Sequence, residues 1–233
     1  MNDPGRIWRR AAERRGAGRH GDRIAAAALR LADAEGLAAL SMRRLAAKLR
    51  AGTMSLYRHV EGRDEVIELI VDAVYGSEPP PVPTGDWRAD LRALASRTRR
   101  IMLAHPWLAF EAPTRPRFGP NALRQTEAAL AIARQADRDI DRAAAVLDAL
   151  MSFTFGAVQR ELAERRAEQN SGLTEDAWRR TIGPYLREAL AGGEYPHLRE
   201  RVVDGADPDH AERFAFGLDR LLDGMAAWLA QEA

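Results

Sequence analysis

The sequence predicts an all-α fold of about nine or ten helices, and three observations support this prediction. Ala, Leu, Arg and Glu, which favour helices, are common, whereas only 6% of the 233 residues are aromatic. Apolar residues recur at helical spacing along most of the chain, and no stretch has the alternation of a strand. An apolar content of 46% is enough to bury a helical core.

The composition also excludes several classes of protein. The chain has no Cys, which excludes disulfides, thiolate catalysis and Cys-ligated metal sites. No apolar run approaches the ~18 residues of a membrane span, and the N-terminus lacks the apolar core of a signal peptide. The five His residues show no ligand spacing. We therefore expect a cytoplasmic protein with no membrane contact, no metal and no cofactor.

The N-terminal region predicts an arm followed by a helix. Residues 1–20 contain six Arg residues among glycines, which is typical of a disordered basic arm. The segment DRIAAAALRLADAEGLAALS predicts the first helix, which Glu35-Gly36-Leu37 closes. Its apolar stripe consists of Ile24, Ala27, Ala28, Leu31 and Ala32.

Residues 41–60, SMRRLAAKLRAGTMSLYRHV, predict two short helices joined by a tight turn. Ser41 is a good N-cap for a helix over about 42–49. Thr53 is expected to cap a second helix that runs to about residue 59. Each helix has one apolar edge, formed by Leu45, Ala46 and Leu49 in the first and by Leu56 and Val60 in the second. A turn of about three residues is typical of a helix-turn-helix that places its second helix in the major groove of DNA.

The outward face of the second helix suits DNA better than water. Two hydroxyls, a Tyr, an Arg and a His are unusual on a helix that is only solvated, and they match phosphates and base edges. The residues left facing outward are Thr53, Met54, Ser55, Tyr57, Arg58 and His59.

Charge is divided between the two parts of the chain. Residues 1–60 hold 13 Lys and Arg against 5 Asp and Glu, a net charge of +8, whereas the remainder holds 22 against 29, a net charge of −7. A basic N-terminal part favours attraction to phosphates, and an acidic remainder limits indiscriminate adhesion to DNA. The basic arm is either a tail without function or a segment that contacts the DNA backbone or minor groove.

Residues of about 22–76 resemble the TetR family of bacterial transcriptional regulators. The resemblance rests on the first helix, on the helix-turn-helix and on VEGRDEVIELIVDAVYG, which is similar to the family's connection and fourth helix. Arg63 stands where the family often has a phosphate-contacting Lys. Arg50 stands where the family commonly has Gly in left-handed backbone, a conformation that would cost an Arg about 1 kcal/mol.

The DNA contacts that we expect follow from these patterns. Thr53, Met54, Ser55 and Arg58 are expected to face bases, and Tyr57, His59 and Arg63 are expected to hold phosphates. Arg43 and Arg44, at the start of the supporting helix, are expected to contact a base or a phosphate. Because one short helix reads few base pairs, two copies on a twofold axis would be needed, and the double-stranded operator should be near-palindromic.

The Pro-rich segment SEPPPVPTGD predicts a linker over residues 77–86, between a DNA-binding domain of residues 21–76 and an effector-binding and dimerisation domain of residues 87–233. Helices are expected over 87–104, 107–111, 121–134, from 139 or 141 to 167, from an N-cap at Thr174 to 190, and over 209–232. Segments such as WRADLRAL, LAHPWLA, FTFG and FAFGLDRLLDGMAAWL resemble tetracycline-repressor-like C-terminal domains.

This second resemblance implies a homodimer in which the last helix and the long helix pair with their copies. The last helix carries a wide apolar stripe, and Gly217 and Gly224 would let another helix approach closely. An ordinary core within one chain is the alternative explanation of the same stripe. The residues assigned to the dimer interface are Phe214, Leu218, Leu221, Leu222, Met225, Trp228 and Leu229.

The resemblance also implies a pocket for a small organic effector. Large apolar groups with a few polar ones suit such a pocket, although each aromatic residue alone could belong to an ordinary core. The residues assigned to it are Met102, Trp107, Phe110, Glu111, Thr114, Arg115, Leu123, Glu127, Met151, Phe155, Gln159 and Trp178.

Two positions distinguish this pocket from that of the tetracycline repressors. Glu111 stands where those proteins use a His for a magnesium-drug chelate, and Arg160 stands where they use a Glu. Tetracycline is therefore not the expected effector. A repressor released by a small molecule is the main prediction, and a promiscuous multidrug sensor, a regulator acting by protein contact and, more remotely, a helical enzyme are the alternatives.

Overall fold

A computed structural model of the chain describes residues 7–9, 18–111 and 119–231. In these ranges it contains eleven numbered α-helices, one 3-10 helix and no strand, so the all-α prediction is confirmed. The helices are α1 Gly18–Glu35, a 3-10 helix Leu37–Ala39, α2 Met42–Lys48, α3 Thr53–Tyr57, α4 Arg63–Tyr75, α5 Trp87–Ala104, α6 Leu108–Glu111, α7 Pro120–Ala136, α8 Ile140–Ser171, α9 Glu175–Ala189, α10 Pro196–Val203 and α11 His210–Gln231. Helix α10 and the 3-10 helix were not among the predicted elements.

The ends of the first helices depend on local capping. Gly36 follows α1 with a φ of 78°, and the Ser41 side chain accepts a hydrogen bond of 3.3 Å from the Arg44 amide at the start of α2. The prediction that Thr53 caps α3 is wrong. Gly52 is the N-cap and Thr53 is the first residue inside the helix, because the extended backbone that a cap requires falls one residue earlier.

The N-terminal arm differs from the prediction over residues 7–9. These residues are helical, and Ile7 is buried against the core of the N-terminal domain. Burial of an apolar residue contradicts the expectation of disorder there. The predicted arm over 1–6 and 10–17 lies outside the described residues, and α1 begins at residue 18.

One hydrophobic core runs through the helix-turn-helix and continues into the larger domain. It contains the apolar edges of α1, α2 and α4, together with Leu56 and Val60 around the short helix. Met102, Trp107 and Val158 from beyond the linker belong to the same cluster. The two domains are therefore packed against each other rather than joined only by the chain.

A second core lies within the larger domain, among α5, α7, α8 and α11. Four residues predicted to form the dimer interface are buried in it, each 7% exposed or less: Phe214, Leu218, Leu222 and Met225. Leu221 and Trp228 pack against the same cluster while partly exposed, and Leu229 is half-buried. The alternative explanation of this stripe, a core within one chain, is correct for the four buried residues.

Gly217 also serves contacts within the chain. A Cβ at this position would lie 2.6 Å from the ring of Phe153 on α8. The Phe153 ring stacks on Phe214 with a centroid distance of 5.6 Å. The glycine therefore admits a helix of the same protomer, whereas a Cβ at Gly224 would meet nothing within 4 Å.

The linker over 77–86 is held to the larger domain at a buried carboxylate. Asp90 accepts hydrogen bonds of 2.8 Å from the Thr84 amide, the Thr84 hydroxyl and the Gln135 amide group. Burial alone would raise the pKa of Asp90, but these bonds outweigh it and the pKa is lowered. By contrast, α9 and α10 contain no buried residue, so neither helix contributes to a core.

Candidate nucleic-acid interface and effector pocket

Helix α3 carries large side chains that the rest of the protomer does not cover. Met54 is 78% exposed and Tyr57 is 48% exposed, while Leu56 on the opposite side is buried at 3%. Thr53 and Arg58 are exposed, and Ser55 and His59 are half-buried. The six residues predicted to face outward are therefore all at least partly accessible.

Two of the predicted phosphate or base contacts already bind groups within the protein. The Arg44 guanidinium donates to Glu35 at 2.6 and 2.8 Å and to the Ala39 carbonyl at 3.3 Å. Arg63 donates to the carbonyls of Leu40 at 3.1 Å and Leu37 at 2.9 Å. Both side chains fix α2 and α4 to the 3-10 helix, and this restricts the directions in which they can meet DNA.

Two further basic side chains in the motif are exposed, although they were not among the predicted DNA contacts. Arg43 is exposed as expected, and Lys48 and Arg50 are exposed as well. Arg50 has a φ of 53°, in the left-handed region. This is the conformation expected from the glycine that the family commonly has there. The position of Lys48 and Arg50 beside the turn could have indicated that both side chains are exposed.

A cavity of about 280 Å³ lies in the larger domain, next to the end of α4. Its walls are formed by α5, α7 and α8. Most of the lining is apolar, with a few polar groups that could orient a ligand. The lining residues are Tyr75, Leu94, Arg97, Thr98, Ile101, Met102, Leu108, Ala122, Leu123, Gln125, Thr126, Ala129, Leu147, Met151 and Phe155.

Four residues of the predicted pocket line this cavity: Met102, Leu123, Met151 and Phe155. Sequence reasoning missed the polar lining residues, although Thr98 lies within the apolar stripe of α5 and could have been noticed there. Arg97 lies with its Nε 3.1 Å from the Glu78 carboxylate, which also binds Arg100 at 2.6 and 2.9 Å. The hydrogen bond from Arg100, followed by the charge of both guanidiniums, lowers the pKa of Glu78.

The other predicted pocket residues that the structure describes do not line this cavity. Trp107, Phe110 and Glu111 line a separate cleft between the domains, because the corner after α5 directs them toward α1. Glu127 lies on an outer groove beside the linker, Gln159 donates to the Ala109 carbonyl at 2.8 Å, and Trp178 is 54% exposed on α9. Thr114 and Arg115 lie outside the described residues.

A buried carboxylate joins the wall of the cavity to the N-terminal domain. Asp72 on α4 is 5% exposed and accepts from the backbone amides of Asn121 and Ala122, each at 2.9 Å. These are amides of the first turn of α7, so Asp72 satisfies the N-terminus of a helix in the other domain. Burial raises the pKa of Asp72 more than these bonds lower it.

Two further contacts strengthen this junction. The Asn121 amide group donates to the Asp72 carboxylate at 2.9 Å and to its backbone carbonyl at 3.0 Å. Gln125, one turn along α7 and part of the cavity lining, donates to the Tyr75 carbonyl at 2.8 Å. The last two turns of α4 are thus bound to the helix that forms one wall of the cavity.

The described ranges contain neither a cluster of metal-binding side chains nor a membrane-spanning helix. No group of three or more His, Asp or Glu side chains there could hold a metal ion. None of the helices in those ranges has both the length and the apolar character to cross a membrane.

Comparison with known proteins places the chain in a family. Residues 79–229 match the family model described as tetracyclin repressor-like, C-terminal domain. The HTH-type transcriptional repressor DrrR1 of Streptomyces coeruleorubidus is 39% identical over 215 residues, which cover 90% of this chain and 78% of that protein.

Solved structures agree with this assignment. Apo ActR from Streptomyces coelicolor superposes with a TM-score of 0.75 at 32% identity, covering 91% of this chain and 97% of ActR. ActR in complex with actinorhodin superposes with a TM-score of 0.74 at 33% identity, covering 90% and 97%. The protein therefore belongs to the TetR family of transcriptional regulators.

Proposed function

We propose that this protein is a repressor that binds a near-palindromic operator as a homodimer and is released by a small organic effector. The observation that carries the proposal is the exposed face of α3, where Met54 and Tyr57 are 78% and 48% exposed. Exposed apolar groups on a short helix, within a segment of net charge +8, suit a groove of DNA. Repression is the activity named for the relative DrrR1.

A dimer explains how so short a helix reads an operator. Helix α3 has five residues, which can reach only a few base edges. We place the dimer contact on the outer faces of α8 and α11, since their inner faces form the second core. Small exposed residues on α8, among them Ala145, Ala149 and Gly156, would allow close helix packing, and Phe216 on α11 is 68% exposed.

The effector is proposed to bind in the cavity of about 280 Å³. Its apolar walls favour an aromatic or otherwise apolar compound, and Thr98, Gln125 and Thr126 offer hydrogen bonds to its polar groups. Actinorhodin, which the similar protein ActR binds, is the first compound to test. Magnesium-tetracycline is not the proposed effector, because Glu111 lines the other cleft and Arg160 is exposed.

Release of DNA is proposed to pass through Asp72. A ligand that shifts α7 changes the positions of the Asn121 and Ala122 amides, and the buried carboxylate of Asp72 follows them. Since α4 also carries Arg63, which holds the 3-10 helix, its movement alters the separation of the two α3 helices in the dimer. Release requires that the ligand prefer the conformation that fits DNA poorly.

The proposed DNA-binding activity is tested by selecting bound sites from random double-stranded DNA with the purified dimer. We expect an enriched near-palindrome whose half-sites lie about one helical turn apart. The variant Tyr57→Ala should weaken all enriched sites alike if Tyr57 contacts a phosphate, and Met54→Ala should relax preference at one position. Failure to enrich any palindrome would overturn the proposal.

The proposed release is tested on the operator so obtained. Actinorhodin should lower operator affinity in the wild type, and Thr98→Trp, which fills the cavity, should abolish that effect while preserving operator binding. Release that persists in Thr98→Trp would exclude the cavity as the effector site. The proposal includes no catalytic step, and it places the protein in the cytoplasm, where bacterial DNA is accessible.

A further inference from the structure

A second cavity, of about 500 Å³, lies at the junction of the two domains. Its floor is formed by the end of α1 and the 3-10 helix, including Asp33 and Leu37. Its walls are formed by Trp107 and Phe110 on one side and by the last third of α8, including Arg166, on the other. Volumes of this size, lined by aromatic side chains and situated between domains, are typical of ligand-binding sites.

The side chains of this interdomain cleft favour a particular kind of ligand. Phe110 is 47% exposed, and the Arg166 guanidinium lies over its ring at 5.7 Å from the centroid. Arg166 forms no ion pair within the described part of the chain, whereas the neighbouring Arg165 binds Glu161 at 2.7 Å. Together, an accessible ring and an unneutralised guanidinium can hold an aromatic ring and its acidic substituent.

Two carboxylates line the cleft, Asp33 on its floor and Glu111 next to Phe110 in the chain, and both interact with other groups of the protein. One oxygen of Asp33 accepts from the indole nitrogen of Trp107 and lies next to the Nδ1 of His105, both at 2.8 Å. These contacts join α1 to the loop after α5 and hold the Trp107 ring as a fixed wall. The negative charge of Asp33 therefore opposes an anionic ligand less than a free carboxylate would.

The cleft has a direct connection to the DNA-binding elements. Its floor includes the 3-10 helix, whose Leu37 carbonyl accepts from Arg63 on α4 at 2.9 Å. The Ala39 carbonyl of the same short helix accepts from Arg44 on α2 at 3.3 Å. A ligand resting on this floor would contact the segment that holds α2 and α4 in place.

We propose that the interdomain cleft binds a small aromatic anion, at a site separate from the effector cavity. The aromatic ring packs against Phe110 and Trp107, and the acidic group pairs with Arg166. Binding bridges α8 to the 3-10 helix and so fixes the angle between the domains. The proposal does not depend on repression, since it is tested by ligand binding in the absence of DNA.

The probe is 1-anilinonaphthalene-8-sulfonate, an aromatic sulfonate whose fluorescence reports binding. Titrations use the full-length dimer carrying Thr98→Trp, so that the effector cavity is filled. In this background we expect saturable binding that Arg166→Glu weakens at least tenfold, because the ionic partner is reversed. Phe110→Ala should weaken binding at least threefold through loss of the ring.

The matched control is Arg138→Glu, which makes the same charge change at an exposed Arg before α8. Residue 166 lies 26 residues beyond the start of α8, which is about 39 Å along the helix at 1.5 Å per residue. The control position, just before α8, is therefore far from Arg166. The control should leave the dissociation constant within twofold. The proposal is overturned if Arg166→Glu weakens binding no more than Arg138→Glu does, or if Thr98→Trp alone abolishes binding.

Discussion

At the scale of single residues, Arg50 adopts left-handed backbone at the turn between α2 and α3, with a φ of 53°. A side chain with a Cβ costs about 1 kcal/mol in this region relative to Gly. We predict that Arg50→Gly raises the free energy of unfolding by about 1 kcal/mol, measured by urea denaturation at fixed protein concentration. Arg50→Ala, which removes the charge but keeps the Cβ, is the control and should show no such gain.

Asp72 leads to a prediction about pH. Burial raises its pKa above the ordinary value of 3.8, so the folded protein retains this proton at a pH where the unfolded chain has lost it. Its contribution to stability is therefore fully present below 3.8 and is lost as pH rises through the folded value. Asp72→Asn removes this dependence, so the variant should gain stability relative to the wild type as pH rises above the ordinary value of 3.8. The free energy of unfolding of both proteins is measured by urea denaturation at each pH. If it changed equally with pH in the wild type and in Asp72→Asn, this prediction would be contradicted.

The sequence could predict which side chains of α3 are exposed, but it could not predict hydrogen-bond partners. Met54 and Tyr57 were placed outward because Leu56 and Val60 define the inner edge of a short helix. The hydrogen bond from Arg63 to the Leu37 carbonyl joins residues 26 positions apart. No local pattern encodes such a contact, since it depends on how α4 packs against the 3-10 helix.

At the scale of helices, ends were predictable where a local cap defines them. Thr174 caps α9 by accepting from the Ala177 amide at 3.2 Å, and Asp139 caps α8 by accepting from two amides at 3.0 Å. Helix α10 was missed because it has only eight residues and its N-cap, Tyr195, makes no side-chain hydrogen bond to the helix.

The junction of α4 and α7 requires a glycine before α7. A Cβ on Gly119 would lie 2.2 Å from the Asp72 carboxylate oxygen, so one of the two must move. We predict that Gly119→Ala destabilises the protein by about 1–3 kcal/mol, as overpacking does elsewhere, and weakens the coupling between effector and operator. Stability is measured by urea denaturation, and coupling by operator affinity with and without effector.

The matched control for this substitution is Gly21→Ala near the start of α1. A Cβ at Gly21 would meet nothing within 4 Å, so the change should stabilise the protein by up to about 1 kcal/mol through helix propensity. If Gly119→Ala proved as stable as the wild type, the close packing of Asp72 against the start of α7 would be excluded.

At the scale of the whole molecule, the sequence could identify candidate pocket residues but could not assign each of them to one of the two cavities. Met151 and Phe155 line the cavity of the larger domain, whereas Trp107 and Phe110 line the interdomain cleft. All four are large apolar residues, so residue type alone does not separate them. Their separation follows from the corner after α5, where the backbone turns toward α1, and a corner of this kind is a property of tertiary packing.

The division of charge leads to a prediction for the whole dimer. If each protomer contributes one phosphate contact through Arg43, the dimer loses two contacts in Arg43→Ala. Each contact contributes about 0.9 to the slope of log affinity against log salt concentration, so the slope should fall by about 1.8. Arg138→Ala removes an exposed Arg outside the basic segment and should leave the slope unchanged. Equal slopes for Arg43→Ala and the wild type, measured by operator titration at several salt concentrations, would exclude Arg43 as a phosphate contact and leave base recognition as its remaining role.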